Sequence, residues 1–378
     1  MMPHENVSMN TYAPRAGVTA RVVSLWKHMR RLEAEGHNTA VRQLGEIACL
    51  KILRDIGPAY YLRAGLYRRE ISWKEKLDYI AGAKYERLVH SVNAEKDDHL
   101  TRNKLETYKI LSAHGIPTPE VYGLVEGKSG WTWDGEVLGS HEDLVALVSR
   151  RKIDTVVFKF VTGTRGIGFY KAKIDAGGDP AVTIEPDGEK LPLREFWGRL
   201  RDDGRFNGYF CQAAIDQDPV VARFNPWSVN TVRTWMVRSP EGDWDMRVAD
   251  LRMGIGKTAV DNVSRGGVAP KIDIATGRLS AGILRRVDRP VYAKHPVTGE
   301  QIEGVIVPMW PEVKALCKRT AALFPSYRLL SVDVAFGLDG PLVVELGGSP
   351  DEMQAETGEG AYALLCELVR RRKVEEAW

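Results

Sequence analysis

An α+β fold with a mainly helical N-terminal region is predicted by three observations. From residue 18 to about 100, apolar residues recur at three- and four-residue spacings. Beyond about residue 150, short β-prone runs alternate with helical segments instead of repeating one strand–helix unit. No strand, glycine-rich turn and helix follow one another in the N-terminal region as a dinucleotide fold requires.

Each element has its own signal. "VTARVVSLWKHMRRLEAEG" is helical and stops at Gly36. Asn38 is placed to cap "TAVRQLGEIACLKILRDIG", which ends at Gly57-Pro58. Ser72 and Glu75 have the spacing of a capping box ahead of "WKEKLDYIAG". Thr101 opens a further helix through "RNKLETYKILSAHG", which Gly115 stops; the two prolines of "IPTPEVYG" each remove a backbone donor. Ser140 and Asp143 form a second capping box before "LVALVSRR". Strands are expected at "TVVFKF", "GFYKAKI" and "GYFCQAAI", with a helix at "LPLREFWGRLRDDG". "VNTVRTWMV" and "WDMRVADLRMG" form a hairpin across "RSPEGD". The helix "WPEVKALCKRTAALFP" precedes two apolar runs, "LLSVDVAF" and "PLVVEL", around the turn "GLDG", and "AYALLCELVRRRKVEEAW" forms a terminal surface helix.

A chain of 378 residues, 44% hydrophobic, has material for two or three units. Its 53 Lys and Arg against 50 Asp and Glu leave a formal charge of +3, so no nucleic-acid partner is expected. Basic residues gather in "WKHMRRLEAEG" and "YLRAGLYRREISWKEK", as solvated helix faces or as a contact to an acidic protein or membrane surface. Cys49, Cys211, Cys317 and Cys366 are too scattered for a metal pair and read as reduced, mostly buried thiols. "MMPHENVSMN" has no apolar core and no run approaches the roughly 20 apolar residues of a membrane span, so a cytoplasmic protein, at most peripheral to a membrane, is expected.

Three constellations carry chemistry. In "VVFKFVTGTRGIGFY", Lys159 ends an apolar strand, and Gly163, Gly166 and Gly168 allow a loop whose backbone donors can approach phosphate oxygens. Arg165 adds charge, and the absence of Gly-Lys-Ser/Thr excludes a P-loop. Read alone, this is equally a plain hairpin. In "SVDVAFGLDGPLVVEL", Asp333 and Glu345 stand on adjacent strands, where two close carboxylates repel unless a cation such as magnesium neutralises them. Arg233, on a half-buried strand, needs an anionic partner, either a structural carboxylate or a ligand phosphate. Asn262 and Arg265 in "DNVSRGG" can close over a phosphate or form a simple turn.

Taken in order, "NKLETYKILSAHGIPTPEVYG", "VVFKFVTGTRGIGFY", "NTVRTWMV", "DNVSRGG" and "SVDVAFGLDGPLVVELGGSP" resemble the ATP-grasp superfamily, and within it the sugar-transfer-associated ATP-grasp proteins, relatives of carboxylate–amine ligases. The resemblance spans roughly residues 100–352. It implies an ATP-grasp fold divided into a helical region (1–100), a linker helix and lid (101–215), a catalytic subdomain (216–352) and a C-terminal helix (353–378). It further implies that Lys104 and Lys159 serve the nucleotide phosphates, under a loop that includes Gly163, Thr164, Arg165, Gly166 and Gly168. Gln212 falls in the hinge that reads adenine and Asp218 toward the ribose. Arg233, Asn262 and Arg265 stand at the transferred phosphoryl group, and Asp333 and Glu345 hold Mg2+.

One departure stands out. The superfamily carries Asn two positions after the metal-binding Glu, and this chain has Gly347, leaving Ser349, Asp351 or water to supply the oxygen. The implied activity is ADP-forming carboxylate–amine ligation through an acyl phosphate, with ATP and Mg2+ and a small-molecule or glycan-linked acceptor. A small-molecule or sugar kinase, and a non-catalytic nucleotide-binding protein, are the alternatives the same residues permit. Trp131, Trp133, Trp197 and Trp227 are read as packing residues in preference to sugar platforms, and His114 and His295 as structural or solvent-facing.

Overall fold

In the computed structural model the described residues are 18–376, apart from 128, 164–165, 204, 262 and 264–265. The α+β expectation holds: a run of helices precedes a strand-rich body. The helices are α1 (Val18–Ala34), α2 (Ala40–Arg54), α3 (Pro58–Arg63), α4 (Trp73–Lys76), α5 (Gly82–His90), α6 (His99–Arg102), α7 (Lys104–Ala113), α8 (His141–Arg151), α9 (Leu193–Asp202), α10 (Pro219–Ala222), α11 (Trp310–Ala322), α12 (Gln354–Thr357) and α13 (Tyr362–Glu375). The strands are β1 (Val121–Glu126), β2 (Ser129–Thr132), β3 (Thr155–Phe160), β4 (Tyr170–Asp175), β5 (Ala181–Glu185), β6 (Glu189–Pro192), β7 (Tyr209–Ala213), β8 (Thr231–Arg238), β9 (Trp244–Arg252), β10 (Val268–Ile272), β11 (Leu279–Leu284), β12 (Val291–Tyr292), β13 (Leu329–Gly337) and β14 (Gly340–Gly347).

Two compact units result. One joins residues 1–92 to 283–291 and 351–378; the other holds 93–282 and 292–350. The first is helical, with Met29, Leu50, Ile56, Tyr61 and Leu62 at its centre. Both capping boxes form, with Ser72 Oγ accepting from the Glu75 amide at 3.2 Å and Ser140 Oγ from the Asp143 amide at 3.2 Å. Two local expectations are corrected. Thr39, not Asn38, caps α2, its hydroxyl accepting from the Arg42 amide at 3.3 Å. The helix expected from Thr101 breaks at Asn103, whose side chain caps a fresh start at Lys104. The cysteines are free, but Cys49 is exposed; only Cys211 and Cys317 are fully buried.

Two seven-stranded sheets make up most of the second unit, with the end of β11 (283–284) and the start of β12 (291) counted in the first. The first, ordered β2-β1-β7-β3-β4-β5-β6, is antiparallel throughout. Phe158, Phe160, Tyr209 and Cys211 point from it into a core closed by Leu144, Leu147 and Val148 of α8 and by Leu193, Phe196, Trp197 and Leu200 of α9. Trp197 is thereby a core residue. The second sheet runs β12-β11-β10-β9-β8-β13-β14, antiparallel from β10 through β14. The apolar side of α11, with Val313, Leu316 and Cys317 buried, packs along its central strands. No helix among the described residues is long and apolar enough to cross a membrane.

Candidate functional site

Strand register builds the site. Asp333 on β13 lies directly opposite both Glu345 of β14 and Arg233 of β8. Arg233 in turn faces Asp250 of β9, and Asp250 faces Lys271 of β10. Registered partners in an antiparallel sheet share a face. The five side chains therefore form one row, with signs plus, minus, plus, minus, minus from β10 to β14. Arg233 closes on Asp333 with its fork: Nε donates to Oδ1 at 2.7 Å and an Nη to Oδ2 at 2.5 Å. Asp250 is fully buried beside Arg252, at 3.5 Å. Thr231, two residues from Arg233, donates its amide (2.9 Å) and hydroxyl (2.5 Å) to Asp261.

The first sheet supplies the opposing charges. Val157 and Lys159 alternate with the core residues of β3 and pair with Gln212 and Phe210 of β7. They lie on the face away from α8 and α9, with a small apolar cluster of Val121, Leu124, Val161 and Phe210 flanked by Tyr108, Trp131 and Trp133. A side chain at Gly163 or Gly168 would run into the Phe160 ring, and Gly168 holds φ of +67°, so this turn demands glycine there. Lys104, first residue of α7, ties the two sheets together. Its Nζ donates to the Gly163 carbonyl at 2.5 Å and stands 3.4 Å from Glu345.

These placements move the ionisations. Burial, with Lys104 nearby, lowers the Lys159 ammonium to about 8 against the pull of Glu345 and Asp333. Desolvation by the surrounding protein pushes the Glu345 carboxyl up, although 42% of its side chain stays exposed, and Lys104, Arg233 and Lys159 together hold it below its ordinary value. Asp261 rises to about 6 because burial outweighs the Thr231 hydrogen bonds and the Arg252 charge. The site thus holds one acid and one ammonium near neutrality beside a firmly ionised Glu345.

Of the residues singled out from sequence, Lys104, Lys159, Gly163, Arg233, Asp333 and Glu345 come together here. Gln212 shares their sheet face. Asp218 caps α10, accepting from the Val220 amide at 2.8 Å. Gly166 and Gly168 continue the turn, while Thr164, Arg165, Asn262 and Arg265 lie outside the described residues. Asp261 opens the "DNVSRGG" loop noted from sequence, and its bonds to Thr231 bring it here; Asp250 and Arg252 were not singled out, since nothing local distinguishes "RVADLRMG" from any strand. His295 is buried, with Nε2 at 3.0 Å from the Gly254 carbonyl, a structural contact. Among the described residues no three metal-binding side chains cluster.

At Gly347 the register places Ser331 opposite, and a Cβ there would stand 2.7 Å from Ser331 Oγ. The hydroxyl therefore fills the space of the missing side chain, on the face that carries Asp333 and Glu345.

A lysine and glycine turn on one antiparallel sheet, set against a carboxylate row on a second, define an ATP-grasp protein. The chain belongs to the sugar-transfer-associated ATP-grasp family, whose model matches residues 84–365. No curated protein matches the chain. Among solved structures, it is similar to N5-carboxyaminoimidazole ribonucleotide synthetase from Thermotoga maritima, with 9% identity and a TM-score of 0.40 over 78% of this chain and 56% of that one. It is also similar to the ATP-grasp ligase PsnB complexed with minimal precursor, Mg and ADP, with 14% identity and a TM-score of 0.39 over 75% and 62%. An ADP complex of N5-carboxyaminoimidazole ribonucleotide synthetase gives 12%, 0.35, 67% and 46%. The chain spans less than two thirds of the length of each of these proteins.

Proposed function

We propose that the chain is an ATP- and magnesium-dependent, ADP-forming ligase that activates a carboxylate as an acyl phosphate and passes the acyl group to an amine. The observation that carries this reading is Lys104, whose single ammonium touches both the glycine turn and Glu345. A phosphate chain laid between the two sheets would meet Lys104, Lys159 and the turn at residues 163–168 from one side and the carboxylate row from the other. The apolar face with Gln212 is suited to a flat base, with backbone groups of β7 reading its edge.

The donor set fits magnesium. Glu345 offers a half-exposed carboxylate, and each Asp333 oxygen that accepts from Arg233 keeps lone-pair capacity. Two carboxylates with phosphate oxygens and water are the usual magnesium sphere. When bound, the metal supplies charge neutralisation at the phosphates. Arg233 holds Asp333 in place and presents its remaining guanidinium edge to charge that develops on the transferred group. The acceptor carboxylate oxygen bonds to the terminal phosphorus as the bridging oxygen leaves with ADP. The amine nitrogen then bonds to the acyl carbon, and phosphate departs with the carboxylate oxygen. We assign the carboxylate or amine to a small molecule or a glycan-linked group, from the family's association with sugar transfer, and the setting to the cytoplasm.

The test is product analysis with ATP, magnesium and paired carboxylate and amine pools. Ligation requires both acceptors, releases ADP and free phosphate, and yields a product equal to the two acceptors less water. A phosphorylated product from a single acceptor overturns ligation in favour of a kinase. ATP binding without ADP formation across all pools overturns catalysis.

A further inference from the structure

We infer that the helical unit carries a second anion site, built by Arg68 and Arg289 around Gly65, for the phosphoryl group of a small molecule. A Cβ on Gly65 would stand 3.1 Å from Arg68 Nε and 3.2 Å from Arg289 Nε, so two guanidiniums converge over a residue that contributes no side chain. Gly65 holds φ of +68°, a conformation that keeps larger residues out. Arg289 Nε is buried and has no hydrogen-bond partner among the described residues; the fork makes one long bond, 3.5 Å, to the Ala355 carbonyl. Arg289 is itself held at φ of +44°.

The nearby carboxylates are already engaged. Arg285 takes Glu356 with its fork, and Glu352 accepts from Tyr60 at 3.0 Å and Arg63 at 3.1 Å. Arg68 donates Nε to the Gly65 carbonyl at 3.1 Å, which leaves its two terminal nitrogens, and its carboxylate neighbour is Glu70, at 3.7 Å and largely exposed. Two half-buried cations set side by side, one with a buried Nε that lacks an acceptor, are costly without an anion. Burial, and then the Arg68 charge, hold the Arg289 guanidinium below its ordinary value. The phenols of Tyr67 and buried Tyr79 lie within the field of both arginines. The donors left on the two guanidiniums exceed what the two oxygens of a carboxylate receive. A phosphate monoester offers three terminal oxygens and a second charge, which matches the pair.

The full chain is titrated with inorganic phosphate, and with acetate at equal ionic strength, by calorimetry and thermal unfolding. Phosphate should bind and raise Tm, and acetate should not. Arg68→Gln and Arg289→Gln should each weaken phosphate about tenfold or more. Arg289→Gln should also raise Tm in phosphate-free buffer, because it removes an uncompensated charge. An unchanged phosphate response in both variants overturns the site, and acetate equal to phosphate overturns its phosphoryl assignment. Should Arg289→Gln not fold, Arg68→Gln decides alone, since the Arg68 side chain is 30% exposed and its loss leaves the unit's core intact.

Discussion

Lys76, fully buried, and Lys159, half-buried, stand one in each unit, and they are handled in opposite ways. Lys76 is fully buried, but its Nζ meets Glu46 at 2.6 Å, and Glu46 also accepts from Tyr61 (2.5 Å) and Arg42 (3.0 Å). Lys159 has no hydrogen-bond or ion-pair partner among the described residues, only the more distant charges of Glu345, Lys104 and Asp333. Burial lowers both ammonium groups. A buried charge that is closed off by its partner fixes structure. We read a half-buried charge left open as one held for an anion the protein does not itself supply.

The comparison breaks most visibly by deleting each lysine. Lys76→Ala leaves Glu46 buried and unbalanced, and should cost about 3–5 kcal/mol of stability in denaturant unfolding. Lys159→Met should leave stability unchanged or improved and weaken ATP about tenfold to a hundredfold, while adenosine is unaffected. Equal destabilisation by both would mean that Lys159 is structural too.

Arg233 sharpens the contrast on the second sheet. Lysine at this position keeps the charge beside Asp333 but loses the bidentate grip. We expect Arg233→Lys to retain ATP affinity within a few-fold and to lose turnover by about a hundredfold. Unchanged kcat would remove the guanidinium from the reacting centre.

The pH dependence follows from the open lysine. In the unfolded chain Lys159 titrates near 10.5 and in the fold near about 8. Between these values the unfolded chain binds a proton the folded chain lacks, so Lys159 contributes stability that rises with pH across that window. At lower pH both states are protonated and the cost of the buried charge is felt in full. ATP phosphates favour the ammonium, so ATP binding should take up protons near pH 8. Calorimetry in buffers of different ionisation enthalpy reads this, and Lys159→Met should abolish it.

The smallest effect concerns Ser331 and Gly347. Gly347→Asn alone meets Ser331 Oγ, so the added amide is crowded. Combined with Ser331→Gly, it should tighten magnesium in the presence of ATP by a few-fold. A double variant with the wild-type metal response would separate Gly347 from the metal site.

Much of this was legible in the sequence. Ser72–Glu75 and Ser140–Asp143 act through three-residue spacings, and the glycine turn after Lys159 announces itself by composition. Asp333 and Glu345 were readable as neighbours because only a short turn parts them. The rest depended on contacts between distant segments. Nothing local to "VRTWMV" says that Arg233 takes both oxygens of Asp333, or that Asp250 continues the row. The same holds for Arg68 and Arg289, which meet because residues 283–291 join the helical unit. Asn103 was hidden within a continuous helical pattern, where its backbone cap outweighs propensity.

The central claim is that Asp333 and Glu345 couple magnesium to the nucleotide, and ATP titration with and without magnesium tests it most directly. Wild-type protein should bind ATP much more tightly with the metal present, since each ligand completes the coordination of the other. Asp333→Asn and Glu345→Gln should each lose most of that enhancement while still binding ATP through Lys104 and Lys159. Equal enhancement in all three proteins would contradict the account.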